Sequence, residues 1–341
     1  MKREFDLKGV QPAHGEIAEV ASGLFWARLP IPYPPMEVNI YIVESAGGWT
    51  LIDTGMSADM TREAWDLLLQ GALKGFKFGR IISTHHHPDH IGLADWLSER
   101  LEADVWTTAG ALSAFKRDTN IYGPEAEAAI ERFCMAHGLN EDAQYALKRQ
   151  PNSFLSRVEV DVSRLKLLSL DKPVTLGIGT FDLMTADGHA AGQLIMRDRA
   201  GQYFFSADQI LPGVVSKLAF DPLDSGADTA GAYVSSLEDI EAWVEESALI
   251  LPGHFPPFRG LSARIAEIRE RQIRRGARLM GAFGAEPLQV GQVLGVLSGR
   301  EPQGKEIAFA LAETFANINN LVSQGRLVWQ GDGARMMLAP A

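Results

Sequence analysis

From Ile17 to about Ala103 the chain alternates short runs rich in β-branched and aromatic residues with turn residues, then shifts to helical spacing. The runs LFWARL, VNIYIVE and WTLID predict strands, with Ala46, Gly47 and Gly48 as the turn between the last two. After Gly55, the stretch TREAWDLLLQGAL sets Trp65, Leu68, Leu69 and Leu73 on one face of a helix. The next strand, GRIIST, runs straight into a cluster of histidines.

Residues 109–157 lack strand-like runs and are rich in Ala, Glu and Arg at helical spacing, which predicts a helical insertion over the site. Strand patterns return in PVTLGI, TFDLMTA, QLIMRD and QYFFSAD, followed by a helix around DTAGAYVSSLEDIEAWVEE and a last strand, ALILPGH. Strands then helices, twice over, imply an α/β protein with two sheets sandwiched between helices. Beyond Pro257 come a basic helix, SARIAEIRERQIRRGARLMGAF, and shorter helical units. The chain closes with a helix, ETFANINNLVSQG, and two strands around Gly331, Asp332 and Gly333, a helical module with a β-hairpin wing. The expected division is a unit spanning 1–257, with its insertion at about 109–157, and a small helical unit spanning 258–341.

Composition narrows the partners. With 341 residues, 46% hydrophobic and 22% charged, the chain is long enough for a large buried core and for more than one domain. A formal net charge of −11 argues against a broad grip on a phosphate backbone, so small molecules rather than nucleic acid are the expected partners. Cys134 is the single cysteine, which excludes an intrachain disulfide and any thiolate metal cage. The run MKREFDLKGVQPAHGE lacks the apolar stretch of a secretory signal, and no segment is long and apolar enough to span a bilayer. A reducing, cytoplasmic location without a membrane partner is the expectation.

The chemistry concentrates after GRIIST. Thr84, His85, His86, His87, Pro88, Asp89 and His90 follow an apolar strand and precede the helical stretch GLADWLSERL, so four potential metal ligands sit on one loop. Alternate side chains of an extended segment point the same way, which lets His85 and His87 converge on one ion while Asp89 and His90 serve a second. Imidazole and carboxylate together suit zinc, and also iron or manganese.

The chain resembles the metallo-β-lactamase superfamily over about residues 15–257, and its ligand set is similar to that of the glyoxalase II-like branch. Five signposts occur in the family's order: Leu51-Ile52-Asp53-Thr54-Gly55, the HxHxDH motif, Thr185-Ala186-Asp187-Gly188-His189, Phe205-Ser206-Ala207-Asp208 and Leu251-Pro252-Gly253-His254. Ala186 and Asp187 stand where the family usually has proline and glycine. The resemblance implies an αββα sandwich and a dinuclear centre. One ion would take His85, His87 and His189, the other Asp89, His90 and His254, with Asp208 bridging and Asp53 orienting a ligand. The C-terminal unit resembles the winged-helix module appended to some members.

These implications define an expected function. Two divalent ions, zinc first and iron or manganese as substitutes, would supply a bridging hydroxide that attacks a small-molecule thioester, ester or lactone, with Asp89 holding or relaying its proton. The bridging aspartate points away from true β-lactamases. The competing readings are a metal-dependent nuclease or phosphodiesterase and an iron-dependent dioxygenase of the same fold. Phe115, Tyr122, Phe133 and Met135 are candidates for an apolar lid over the acyl group or for packing. His86 is expected in the loop or beside the centre, and His14 and His137 are expected to face solvent.

Two further motifs are set aside. Gly299 to Lys305 spells most of a phosphate-binding loop, but Glu306 replaces the Ser or Thr and the preceding residues look helical. Gly177-Ile178-Gly179 lacks a third glycine and reads as a turn. The arginines at 264, 269, 271, 274, 275 and 278 form a basic helix that Glu267 and Glu270 partly neutralise, pointing to a solvated face or a homodimer contact rather than nucleic acid.

Overall fold

The computed structural model describes residues 11–120, 123–304 and 306–341; Tyr122 and Lys305 lie outside them. Among the described residues one sheet holds, in chain order, β1 (Ala18–Ala21), β2 (Leu24–Pro30), β3 (Glu37–Ser45), β4 (Gly48–Ile52), β5 (Phe78–Ile82), β6 (Asp104–Thr107) and β7 (Lys166–Leu167). A second sheet is built from β8 (Val174–Leu176), β9 (Gly179–Ala186), β10 (Gln193–Asp198), β11 (Tyr203–Ala207) and β12 (Leu249–Pro252), again as neighbours in chain order.

The side-chain alternation of these strands assigns the layers. Leu24, Trp26, Tyr41, Val43, Ile52 and Ile82 of the first sheet meet Phe181, Leu194, Met196, Phe205, Leu249 and Leu251 of the second, forming the core between the sheets. Their strand neighbours point the other way. Ala27, Leu29, Ile40, Ile42, Leu51 and Ile81 pack against α1 (Asp59–Gln70) and α3 (Ala94–Leu101), which cover the first sheet, with the short α2 (Pro88–Ile91) between them in the chain. On the far face of the second sheet Ile195, Phe204 and Ile250 pack against α7 (Thr229–Trp243) and α8 (Leu261–Met280). The result is the helix–sheet–sheet–helix sandwich expected. Register is held by size as well as polarity: a one-residue slip of β2 would exchange buried Trp26 with buried Ala27, an overlap in one core and a void in the other.

The insertion is helical, as its spacing predicts, with α4 (Ala109–Asn120), α5 (Pro124–Ala136) and α6 (Glu141–Leu155). The C-terminal part adds α9 (Val290–Val293), α10 (Glu306–Ser323) and the antiparallel hairpin of β13 (Leu327–Gly331) and β14 (Met336–Pro340). The two regions share one core: Ile130, Phe133 and Leu147 of the insertion pack with Leu279, Leu311, Phe315 and Leu338. The lid reading fails for the residues that can be placed. Phe115 packs under the first sheet, Phe133 lies in the shared core, and Met135 is exposed. His137 is buried among Phe133, Phe315 and Trp329 rather than facing solvent, because the shared core closes over the end of α5.

Other details differ from the pattern. Gly71 ends α1, so Leu73 is buried from the following turn rather than from the helix. The basic helix is compensated by carboxylates: Arg264 and Arg271 pair with Glu267, Arg269 with Glu241, Arg274 with Glu270 and Arg275 with Glu313. The segment before Gly299 forms α9 and turns rather than a strand, and Gly177–Gly179 is the turn between β8 and β9. Among the described residues no helix is long and apolar enough to cross a membrane.

Candidate metal centre

All seven predicted ligands come together where strands of the two sheets end. His85, His87, Asp89 and His90 lie between β5 and the end of α2, His189 is in the turn between β9 and β10, Asp208 follows β11 and His254 follows β12, while Asp53, expected to orient a ligand, follows β4. Three trios each have ligand atoms within 4.8 Å of one another: His85, His87 and His189; His85, His90 and Asp208; and Asp89, His90 and His254. Asp208 lies among them, its Oδ2 3.5 Å from His189 Nε2 and 3.2 Å from His254 Nε2, and its Oδ1 3.5 Å from His90 Nε2.

The outward contacts of the rings determine what faces inward. His189 Nδ1 donates to the Lys217 carbonyl at 2.8 Å and His254 Nδ1 to the Glu37 carbonyl at 2.6 Å. His90 Nδ1 donates to Asp53 Oδ2 at 2.8 Å, while His85 Nδ1 donates to Thr84 Oγ1 at 3.0 Å, whose hydroxyl donates on to Asp53 Oδ2 at 2.9 Å. Each of these four rings therefore turns its Nε2 to the interior; His87 instead places Nδ1 3.1 Å from His85 Nε2. Buried His90 Nε2 and Asp208 Oδ1 have no hydrogen-bond partner. A set of inward lone pairs and orphaned buried atoms, with nitrogen and carboxylate donors only, fits a pair of borderline divalent cations.

Electrostatics divides the centre in two. Burial, reinforced by neighbouring imidazoles, holds His85 and His87 well below the ordinary range and keeps them neutral. Burial would also lower His254, but Asp208 and Asp89 reverse this and raise it to about 10. His90 is raised well above its usual range because Asp208, Asp53 and Asp89 outweigh burial. Burial works against ionisation of Asp208, yet His254 and His90 hold it well below the carboxylate range.

Strand ends and tight approaches fix this geometry. Asp53, Ala207 and Phe255 have positive φ of 64°, 45° and 65°, a conformation that costs a residue with a side chain energy and is maintained by surrounding contacts. Gly253 has no room for a side chain: a Cβ there would lie 2.1 Å from Asp208 Oδ1 and 2.8 Å from His90 Cε1. Asn39 clamps the following loop, donating through Nδ2 to the carbonyls of Pro252 and Phe255 at 2.9 and 2.6 Å and accepting from Trp26 Nε1 at 2.8 Å.

Sequence reading did not identify Thr84, Asn39, Gly253 or the carbonyls of Glu37 and Lys217 as parts of the centre. Thr84 and Gly253 adjoin predicted ligands and could have been tested for such roles. A backbone carbonyl, however, leaves no side-chain signature. His86 is buried and pairs with Asp118 of α4 at 3.1 Å, and His14 pairs with Glu37 at 3.0 Å at the surface.

Comparisons with known proteins bear on the family and the fold. The family model described as "Metallo-beta-lactamase superfamily" matches residues 33–254. The chain is 20% identical over 311 residues to "Probable metallo-hydrolase YqjP" of Bacillus subtilis (strain 168), covering 89% of this chain and 94% of the relative. A β-lactamase domain protein from Burkholderia ambifaria superposes with a TM-score of 0.85 at 28% identity, over 99% of this chain and 97% of its own. A metallo-β-lactamase family protein from Thermus thermophilus gives a TM-score of 0.78 at 24% identity, over 95% of this chain and 100% of its own.

Proposed function

The chain belongs to the metallo-β-lactamase superfamily, and from that premise we propose that it is a dinuclear metal-dependent hydrolase of a small acyl compound: a thioester, ester or lactone. The observation that carries this reading is the position of Asp208, whose two carboxylate oxygens face His90 on one side and His189 and His254 on the other.

His85, His87 and His189 would hold one divalent ion and Asp89, His90 and His254 the other, with Asp208 between them and zinc the first choice. When bound, the ions supply Lewis acidity that makes water nucleophilic near neutral pH and polarises a carbonyl. Asp89 is the chain's own proton-handling group in this reading. Its Oδ2 lies 3.3 Å from His254 Nε2, so its carboxylate stands at the centre, where it would hold or relay the nucleophile's proton. Asp53 and Thr84 keep His85 and His90 in one tautomer and orientation throughout.

Two cations near the centre would favour an acyl chain ending in an acidic group: Lys217, which feels the charges of Asp89 and Asp208, and Arg157, beside Tyr33, which feels them too. The Arg157 guanidinium lies 5.0 Å from the ring centroid of Tyr33, whose phenol is pushed well above its ordinary range by burial and then by Asp89. Lys217 Nζ stands 3.4 Å from the ring centroid of Phe309 on α10. The compensated arginines of α8 offer little to a polynucleotide, which counts against a nuclease.

Hydrolysis assays on thioesters and lactones with and without a terminal carboxylate, alongside bis-p-nitrophenyl phosphate, test the proposal. It expects acyl hydrolysis, favouring carboxylate-bearing substrates, that is lost in His87→Ala and Asp208→Ala. Turnover confined to the phosphodiester would overturn it.

A further inference from the structure

We infer that Arg264 is a positioning residue for the metal centre, acting through the segment that joins Asp208 to the carbonyl holding His189; this rests on the metal reading above. Arg264 belongs to α8, outside the family match, and is buried. Its Nε donates to the Leu211 carbonyl at 2.6 Å, its Nη2 to the Val214 carbonyl, and its Nη1 to Glu267. Arg271, two helical turns along, donates to the Gly213 carbonyl at 3.1 Å.

These carbonyls belong to the segment leaving Asp208, and its other contacts return to the centre. Ser216 Oγ donates to the Asp208 carbonyl. Lys217 gives its carbonyl to His189 Nδ1, and Ala219 N donates to the Gly188 carbonyl at 2.8 Å, beside His189. One segment thus touches both Asp208 and His189, and α8 holds its other side through a guanidinium whose fork satisfies two carbonyls at once. Losing that fork leaves both carbonyls without their donor and frees the acceptor that orients His189.

A role limited to attaching α8 would be shared by Arg269, which lies on the same helix and pairs with Glu241 of α7 at 2.6 Å. The two roles separate by cobalt(II) titration of the metal-free chain, read by calorimetry and by visible absorption, with thermal melts reporting the fold. Arg264→Gln is expected to weaken cobalt binding by about tenfold and to alter the absorption bands. Arg264→Lys, which keeps the charge but not the fork, should recover part of the loss, and Arg269→Gln should bind within about twofold of wild type even where its melt falls. Should the glutamine variant not fold, the lysine variant decides. Wild-type affinity and spectrum in the Arg264 variants, or equal weakening in Arg269→Gln, would overturn the inference alone. Failure of the wild-type chain to bind cobalt would overturn the metal reading and this inference with it.

Discussion

Asp53 Oδ2 lies 2.8 Å from His90 Nδ1, while its Oδ1 accepts the Thr84 N–H at 2.7 Å, so one buried carboxylate fixes both a ring and the loop that presents it. An amide at this position cannot accept along both edges. Asp53→Asn is therefore expected to weaken metal affinity by about 10- to 100-fold. Competition with a chromogenic chelator measures this, and wild-type affinity in the variant would contradict the assigned role.

Gly253 supports a second prediction. The side chain of Gly253→Ala would occupy the space of Asp208 Oδ1, 2.1 Å from the new Cβ, and must displace that carboxylate or the strand end. A shift of about 1 Å at a reacting centre costs roughly a hundredfold in rate. Hydrolysis by this variant should fall by that order, whereas Gly284→Ala, where a Cβ meets nothing within 4 Å, should keep wild-type turnover. Equal activities would show that the tight approach has no functional consequence.

Metal loading should be coupled to pH. His254 is raised to about 10 in the folded chain, because Asp208 and Asp89 overcome the lowering effect of burial. Its unfolded value is about 6.5, so the protonated ring's contribution to metal-free stability is complete below pH 6.5 and lost as pH rises through 10. A cation bound at His254 must displace that proton, so apparent affinity should rise between those limits and loading should release protons. Calorimetry in two buffers of different ionisation enthalpy reads the release; identical heats would contradict it.

His137 gives the opposite sign. Burial lowers it to about 4, below an unfolded value of about 6.5, so as pH falls the unfolded chain takes up the proton first. The contribution of the neutral ring is complete above pH 6.5 and lost by about pH 4. Thermal melts should show a smaller loss of stability between pH 6.5 and 4.5 in His137→Gln than in wild type, and an equal loss would exclude His137 as its source.

The order of strands and helices and the four ligands of the histidine loop were legible from local signals, whereas His189, Asp208 and His254 followed only from the family resemblance. Runs of β-branched and aromatic residues between turns marked β2, β3 and β10, and burial on both faces left no alternation to tell their two sides apart. β6 and β7 are too short to show alternation, and β7 is recognisable only by its pairing with β6. His137 was misplaced because the residues that bury it, Phe315 and Trp329, lie far along the chain. The carbonyls of Glu37 and Lys217 were invisible for a related reason: Glu37 meets His254 across 217 positions, and any residue there would offer the same atom.

The most direct test of the account is the metal content of the chain after reconstitution with zinc and desalting, measured by inductively coupled plasma mass spectrometry. With His85, His87 and His189 on one side, Asp89, His90 and His254 on the other and Asp208 between them, the account predicts about two ions per wild-type chain and a clear loss in Asp208→Ala. A wild-type chain that retains no stoichiometric metal would contradict it.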